Sequence, residues 1–239
     1  MLIIPAIDLK DGKVVRLLKG DFNTVQQVAD DPVATARAFY EAGARYLHVV
    51  DLDGSKDGVR KNSDLVKAVV QVGLKTELGG GIRSMKDLEE VFALGVWRAI
   101  IGSAAVSDPD FVKAALEKYG PERIVVGVDA KDGLVRTAGW VKESGENYLD
   151  FAKRMEDMGV TNIIFTDIDT DGMQTGPSFA RLQFLRDKLS CSIIAAGGVS
   201  CNADIEALKR MGVEAVIVGK SWYMGALDLK QAIEEGGPQ

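Results

Sequence analysis

Aspartates stand where short apolar runs end, and they are the residues best suited to acid–base chemistry. Asp8 and Asp129 each come directly after such a run, and Asp171 follows a third one in an aspartate-rich loop that could also be a simple turn. Two carboxyl groups around one substrate can move protons, because their surroundings can keep one ionised and the other protonated. We therefore predict an acid–base site built on these aspartates.

The sequence contains few residues that could bind zinc or act as a nucleophile paired with histidine. His48 is the one histidine of the chain, and Cys191 and Cys201 are its two cysteines. These counts exclude a zinc site of nitrogen and sulfur ligands and leave no recognisable nucleophile–histidine arrangement. A carboxylate-only Mg²⁺ site has no motif behind it, although the counts leave it open, and we expect no metal. We expect His48 to be either a satisfied residue inside the fold or a substrate contact. So few cysteines imply no disulfide framework.

Glycine-rich segments indicate where an anion could bind, since glycine lets backbone N–H groups approach it closely. Isolated glycines are more often plain turns, but here one pattern occurs twice, which predicts a ligand with a phosphate at each end. Arg83 follows the first pattern and could clamp a phosphate through two hydrogen bonds. The candidate contacts of the two patterns are Gly80, Gly81, Gly102, Ser103, Gly197, Gly198, Gly219 and Lys220.

Eight short apolar runs alternate with amphipathic stretches, which predicts parallel strands covered by helices on their outer faces. The expected helices include Asp31–Ala42, Met85–Leu94, Asp108–Lys118 and Asp204–Met211, with Ser84 and Ser107 as caps. Pro5 predicts a local irregularity in the first strand. The predicted strands are Ile3–Ile7, Tyr46–Val50, Lys75–Leu78, Ala99–Ile101, Ile124–Val128, Asn162–Thr166, Ser192–Ala195 and Ala215–Val218.

The two halves of the chain resemble each other. Asp87–Ser103 matches Asp204–Lys220, 117 positions later, and Asp8–Gly12 matches Asp129–Gly133, 121 positions later. We therefore predict one domain over residues 1–239, a (β/α)₈ TIM barrel made of two homologous half-barrels at about 1–120 and 121–239. An open doubly wound sheet is the alternative, but it would not readily give two equivalent halves.

Composition narrows the class of partner. The net charge of −6 argues against broad binding to nucleic acid or to a membrane surface, both of which need a basic face. No apolar stretch reaches the ~18 residues of a membrane span, and the first residues lack a signal-peptide pattern. We expect a cytoplasmic monomer that binds a small molecule.

Across essentially its whole length the chain resembles the phosphoribosylformimino-5-aminoimidazole carboxamide ribotide (ProFAR) isomerase family of histidine biosynthesis. The resemblance implies a cofactor-free two-phosphate barrel that performs an Amadori rearrangement of the aminoaldose ProFAR to the aminoketose PRFAR, an intramolecular oxidoreduction. The segments that carry it, in order, are IPAIDLKDGKVVRLLKG, LHVVDLDG, LGGGIRS, IGSAAV, VGVDAKDG, FTDIDTDGMQTGP, IAAGGVS and VIVGKSWYMG.

The resemblance also implies roles for single residues. Asp8 matches the proton-accepting base of the family, and either Asp129 or Asp171 matches the proton donor. The remaining implied positions are Thr166, associated with activity, Trp140, in a loop that closes over substrate, and Lys19 and Gly20, near one phosphate.

Three alternatives stay open. The homologous cyclase of the next pathway step has a cysteine in its first strand-end motif (PCLDV), whereas this chain has Ala6, Ile7 and Asp8. A bifunctional isomerase would also accept phosphoribosylanthranilate by the same chemistry. A non-catalytic sugar-phosphate sensor would keep the glycine-rich loops without needing all three aspartates.

Overall fold

The computed structural model describes residues 1–237 and contains an alternation of strands and helices. Its strands are β1 (Leu2–Lys10), β2 (Lys13–Leu18), β3 (Asp21–Ala29), β4 (Tyr46–Asp51), β5 (Lys75–Gly79), β6 (Arg98–Ile101), β7 (Ile124–Lys131), β8 (Leu134–Thr137), β9 (Lys142–Asn147), β10 (Asn162–Asp167), β11 (Ser192–Ala196) and β12 (Ala215–Val218). Its helices are α1 (Pro32–Glu41), α2 (Leu52–Asp57), α3 (Ser63–Val70), α4 (Met85–Ala93), α5 (Ser103–Ser107), α6 (Pro109–Tyr119), α7 (Tyr148–Asp157), α8 (Phe179–Lys188), α9 (Asn202–Arg210), α10 (Lys220–Tyr223) and α11 (Leu229–Gly236).

Eight of the strands form a closed parallel barrel, as the sequence predicts. The order around the barrel is β1, β4, β5, β6, β7, β10, β11 and β12, and β12 pairs with β1 to complete the ring. Each of the eight predicted apolar runs lies within one of these strands. The fold is therefore a (β/α)₈ barrel, whose functional face is at the carboxyl ends of the strands.

The barrel has an interior core and an outer one. Alternate strand residues point inward, and these form a small apolar cluster that contains strand residues alone, such as Ile4, Ile100 and Ile164. The remaining strand residues pack against the helices in a larger cluster with buried aromatic residues, such as Phe39 and Phe151. Along β1, Ile4 and Ala6 both belong to the interior core, and Asp8, two positions after Ala6, lies at the rim of the barrel.

Two antiparallel hairpins interrupt the alternation at equivalent places. The strand β1 turns back into β2 through Asp11 and Gly12, with φ of 48° and 79°. The strand β7 turns back into β8 through Asp132 and Gly133, with φ of 52° and 82°. A two-residue type I′ turn needs positive φ at both positions, and Asp-Gly suits it. The repeated Asp-Gly pairs therefore form matching hairpins above the barrel.

Two local expectations are wrong. Asp108, not Ser107, caps α6, because the Asp108 carboxylate accepts a hydrogen bond from the Phe111 backbone N–H while Ser107 ends the preceding helix. The strand β1 is continuous through Pro5, which stays in register with Val218. A missing proline N–H removes one donor from the ladder but leaves its register intact. Ser84 caps α4 as expected.

No helix within residues 1–237 is long and apolar enough to cross a membrane. The half-barrel boundaries and the single domain over 1–239 remain predictions, and residues 238–239 lie outside the described part of the chain.

Candidate active site

A cavity of about 270 Å³ opens at the carboxyl ends of the barrel strands. Of the site residues predicted from the sequence, Lys19 alone does not line it; Lys19 is exposed, and its contact with a phosphate remains a prediction. The predicted residues that line this cavity are Asp8, Gly20, His48, Gly80, Gly81, Arg83, Gly102, Ser103, Asp129, Trp140, Thr166, Asp171, Gly197, Gly198, Gly219 and Lys220.

Asp8 is held by an arginine from the first hairpin. In the hairpin Asp8 lies opposite Val15, the residue that precedes Arg16. Arg16 Nη1 donates to Asp8 Oδ2 at 2.7 Å, and both side chains are mostly buried. A charge-assisted hydrogen bond of this kind fixes the carboxylate in one orientation.

The arginine is in turn held by its own surroundings. Arg16 Nη2 donates to the Ala6 carbonyl at 2.5 Å, and its guanidinium lies 5.0 Å from the ring centre of Tyr223. The Tyr223 hydroxyl donates to the same carbonyl at 3.0 Å, and burial raises the pKa of Tyr223 to about 12, so it stays protonated. Sequence reasoning missed Arg16, although the Asp-Gly hairpin signal would have placed it near Asp8.

Asp129 accepts hydrogen bonds from two predicted site residues. Trp140 Nε1 donates to Asp129 Oδ2 at 2.8 Å, and Thr166 lies directly opposite Asp129 on the neighbouring strand. Burial raises the pKa of Asp129, while hydrogen bonds from Thr166 and Trp140 and the nearby His48 oppose that rise. The structure thus brings Thr166, Trp140 and Asp129 together as one group.

Asp171 is the third carboxyl group that lines the cavity. Burial, and then the negative charge of Asp8, raise the pKa of Asp171 to about 7, with Asp129 adding to the rise and Arg16 and Lys220 opposing it. A carboxyl group that titrates near neutral pH can hold a proton and release it during a reaction. Asp171 can therefore serve as a general acid.

The first glycine-rich cradle follows β5 and β6. Gly80 has φ of 102°, and a side-chain Cβ there would lie 2.2 Å from the Asp51 carbonyl oxygen, so only glycine fits. Gly102 immediately precedes α5, whose first residue, Ser103, lines the cavity. The Ser103 hydroxyl accepts a hydrogen bond from the Ala138 backbone N–H at 2.8 Å, which ties this cradle to the second hairpin.

The second cradle, after β11 and β12, repeats this construction. Gly198 has φ of 82°, and a Cβ there would lie 2.3 Å from the Gly176 carbonyl oxygen. Gly219 precedes α10, whose first residue is Lys220. Lys220 Nζ donates to the Gly172 carbonyl at 2.8 Å, beside Asp171. The structure therefore places two similar glycine-rich cradles on one cavity, with the aspartates lining the same space.

The two hairpins meet over the cavity. The Trp140 ring lies so close to Gly20 that a Cβ at Gly20 would be 2.1 Å from Trp140 Cε3. Phe22 packs near Gly139 in the same contact, where a Cβ at Gly139 would be 3.3 Å from the Phe22 ring. Phe22 also lines the cavity, as do Arg136 and Thr137 of the second hairpin, and sequence reasoning missed all three.

Within residues 1–237, no group of three or more histidine, cysteine, aspartate and glutamate side chains is arranged to hold a metal ion. His48 lines the cavity, and its Nδ1 lies 2.7 Å from Glu77 Oε1, inside the barrel.

Comparison with known proteins identifies the family. The chain is 49% identical over 239 residues to a protein of Streptococcus thermophilus, covering 99% of this chain and 100% of that protein. It is 46% identical to a protein of Listeria welshimeri and 47% identical to one of Clostridium acetobutylicum, with 98% of each chain covered. All three are named 1-(5-phosphoribosyl)-5-((5-phosphoribosylamino)methylideneamino) imidazole-4-carboxamide isomerase.

The family model described as histidine biosynthesis protein matches residues 2–228, which include every strand of the barrel and every predicted site residue. The chain belongs to the histidine biosynthesis protein family.

Proposed function

We propose that this protein is the isomerase of histidine biosynthesis that converts the bis-phosphorylated aminoaldose ProFAR to the aminoketose PRFAR. The observation that carries the proposal is one cavity that holds Asp8, Asp129 and Asp171 together with two matching glycine-rich cradles. The isomerase names of the full-length relatives support the same substrate, and they favour it over the cyclase reaction and over phosphoribosylanthranilate.

Each cradle would bind one phosphate. Gly80 and Gly198 both have positive φ and leave no room for a side chain, and the backbone N–H groups of such glycine-rich loops can bind phosphate oxygens. Lys220 adds positive charge at the second cradle, and Arg83, at the edge of the first, adds it there. Binding at both ends would hold the sugar between them, and such positioning can contribute ~7–11 kcal/mol to catalysis in favourable cases.

The first chemical step is ring opening. A protonated carboxyl group donates its proton to the ribose ring oxygen, the C1′–oxygen bond breaks, and the nitrogen lone pair forms a protonated Schiff base. Asp171 suits this role because its pKa of about 7 keeps a large fraction protonated at neutral pH. Asp129 is the alternative donor, since burial also raises its pKa.

The second step is proton removal from carbon. The cationic Schiff base acidifies the C2′ proton, and the Asp8 carboxylate removes it to give an enolamine. Tautomerisation of the enolamine then gives the ketose at C2′. Arg16 holds the Asp8 carboxylate at 2.7 Å, which orients it for this transfer. Each acid or base of this kind is worth ~10²–10⁴-fold in rate.

The reaction as written needs no metal or redox cofactor, and we place it in the cytoplasm, carried out by a monomer. The test is to incubate purified protein with ProFAR in the presence of EDTA. Because ProFAR and PRFAR have the same mass, the product is separated by chromatography and identified by NMR. Formation of PRFAR at an unchanged rate after chelation supports the proposal. A stable, folded protein that leaves ProFAR unchanged would contradict it.

A further inference from the structure

Three ionisable side chains lie side by side inside the barrel, beneath the cavity. His48 on β4 is directly opposite Glu77 on β5, and Glu77 is directly opposite Arg98 on β6. Two positions from Arg98 along its strand, Ile100 belongs to the interior core, and Tyr46, two positions from His48, packs against that core. Since side chains alternate across a strand, all three charged residues point into the barrel.

Glu77 is bound on both sides. One carboxylate oxygen, Oε1, lies 2.7 Å from His48 Nδ1, and the other, Oε2, accepts from Arg98 Nε at 2.7 Å. The Glu77 side chain is 1% exposed and that of Arg98 is 5% exposed, whereas His48 is 12% exposed and lines the cavity. The guanidinium of Arg98 also lies 4.3 Å from the ring centre of Trp97. Glu77 and Arg98 therefore cannot reach a ligand, but His48 can.

The pairing determines which nitrogen of His48 carries a proton. Burial alone would raise the pKa of Glu77, but the hydrogen bond and the charge of His48, followed by the charge of Arg98, lower it, so Glu77 is ionised and can only accept hydrogen bonds. Nδ1 must then be the protonated nitrogen. No residue in the described range 1–237 makes a hydrogen bond to Nε2, which leaves that nitrogen for a ligand in the cavity.

We propose that Glu77, held by Arg98, is a positioning residue that fixes His48 with its proton on Nδ1 and presents Nε2 to a sugar hydroxyl of the substrate. The inference rests on the proposed function, because it takes the ligand between the cradles to be a ribose. His48 contacts the substrate directly, and Glu77 and Arg98 act through it. A bare Nε2 accepts a hydrogen bond from a hydroxyl, which orients the sugar for proton transfer at the neighbouring carbon.

His48 is the only histidine of the chain, so one spectrum reads its tautomer without any substitution. Protein labelled with ¹⁵N-histidine is examined by long-range ¹H–¹⁵N correlation across the pH range in which it stays folded. We expect the neutral ring to carry its proton on Nδ1 and to leave Nε2 bare. A neutral ring with its proton on Nε2 and a bare Nδ1 would overturn the proposal, whether or not the protein proves to be active on ProFAR.

A charge-balanced variant tests the effect on the reaction. Glu77→Gln alone leaves Arg98 buried without its partner, so the double variant Glu77→Gln/Arg98→Met is made beside it. In the folded double variant, we expect His48 to lose its preference for the Nδ1–H tautomer. We also expect kcat to fall about tenfold, which is the effect of one misplaced hydrogen bond, while KM changes by less than about twofold. A lower Tm with unchanged kcat would mean that the three residues only stabilise the barrel, and would overturn the proposal.

Discussion

Arg16 Nη1 lies 2.7 Å from Asp8 Oδ2, across the hairpin that follows the first barrel strand. The pair joins Asp8, at the rim of the barrel, to Arg16 on β2, the returning strand of the first hairpin. The equivalent hairpin in the second half of the chain has Thr137 at the position of Arg16, 121 residues later, so the two halves differ at this point. The first half therefore carries the charge that orients a carboxylate.

Replacing Arg16 tests the importance of that orientation. We expect Arg16→Met to lower kcat by about 10²-fold, because Asp8 loses the donor that fixes it and can rotate away from the substrate carbon. Arg16→Lys is the matched control, since it keeps the charge but cannot bind Asp8 and the Ala6 carbonyl at once, and it should retain an intermediate rate. Steady-state kinetics measure both, and a rate for Arg16→Met within twofold of wild type would refute this role.

The pKa of Asp171 predicts a pH dependence. If protonated Asp171 is the general acid, activity is full below its pKa of about 7 and falls as the pH rises through that value. We expect the kcat/KM of the wild type to show this alkaline limb, the fall in activity above pH 7. The residual kcat/KM of Asp171→Asn should not fall in this pH range. Asp129→Asn should keep the limb. If instead the limb disappears in Asp129→Asn and persists in Asp171→Asn, Asp129 is the acid.

The same carboxyl group should reduce stability at neutral pH. Its pKa is about 7 in the folded protein and 3.8 as the ordinary value, so the folded state retains a proton that the unfolded chain releases between pH 4 and 7. The resulting cost is absent near pH 3 and complete above pH 7, where it is on the order of 1–4 kcal/mol. We expect Asp171→Asn to raise the free energy of unfolding relative to wild type more at pH 8 than at pH 4. Urea unfolding at the two pH values measures this, and equal differences at both would contradict it.

Much of the framework could be predicted from the sequence, because buried parallel strands appear as continuous apolar runs. The eight apolar runs predicted the barrel strands, and the repeated glycine pairs predicted the two glycine-rich cradles. The hairpin strands were missed, since β3 and β9 are mostly exposed and polar and lack the alternating pattern of a half-buried strand. The Asp-Gly turn at residues 11–12 was read as part of a repeat, although it also predicts a hairpin.

The supporting charges of the site were harder to predict. Glu77 and Arg98 lie within or beside apolar runs and look like surface residues in a one-dimensional pattern. Only the register between β4, β5 and β6 shows that they are neighbours inside the barrel. Arg16 was hidden for a similar reason, since its partner depends on how the hairpin folds back. Contacts between strands distant in sequence are not present in any local pattern.

The contact between Gly20 and Trp140 provides a test of closure over the cavity. Gly20→Ala would push the two hairpins apart, since the added carbon would lie 2.1 Å from the indole ring. We expect kcat/KM to fall about tenfold, because an open cavity admits water and releases the hydrogen bond from Trp140 to Asp129. Gly145→Ala is the control, as Gly145 also has positive φ, 76°, but has no atom within 4 Å of the added carbon. Equal losses in both variants would mean that backbone strain, not closure, causes the effect.

We propose that Asp8 removes a proton from a substrate held at both ends, and Asp8→Asn separates proton removal from substrate binding. Calorimetric titration of folded Asp8→Asn with ProFAR, beside its turnover, is the most direct measurement, and Asp132→Asn at the exposed hairpin turn is the control. We expect a Kd within a few-fold of the KM of wild type and a turnover at least about 10³-fold lower, in the upper part of the range for a lost general base. Turnover by Asp8→Asn close to that of wild type would contradict it.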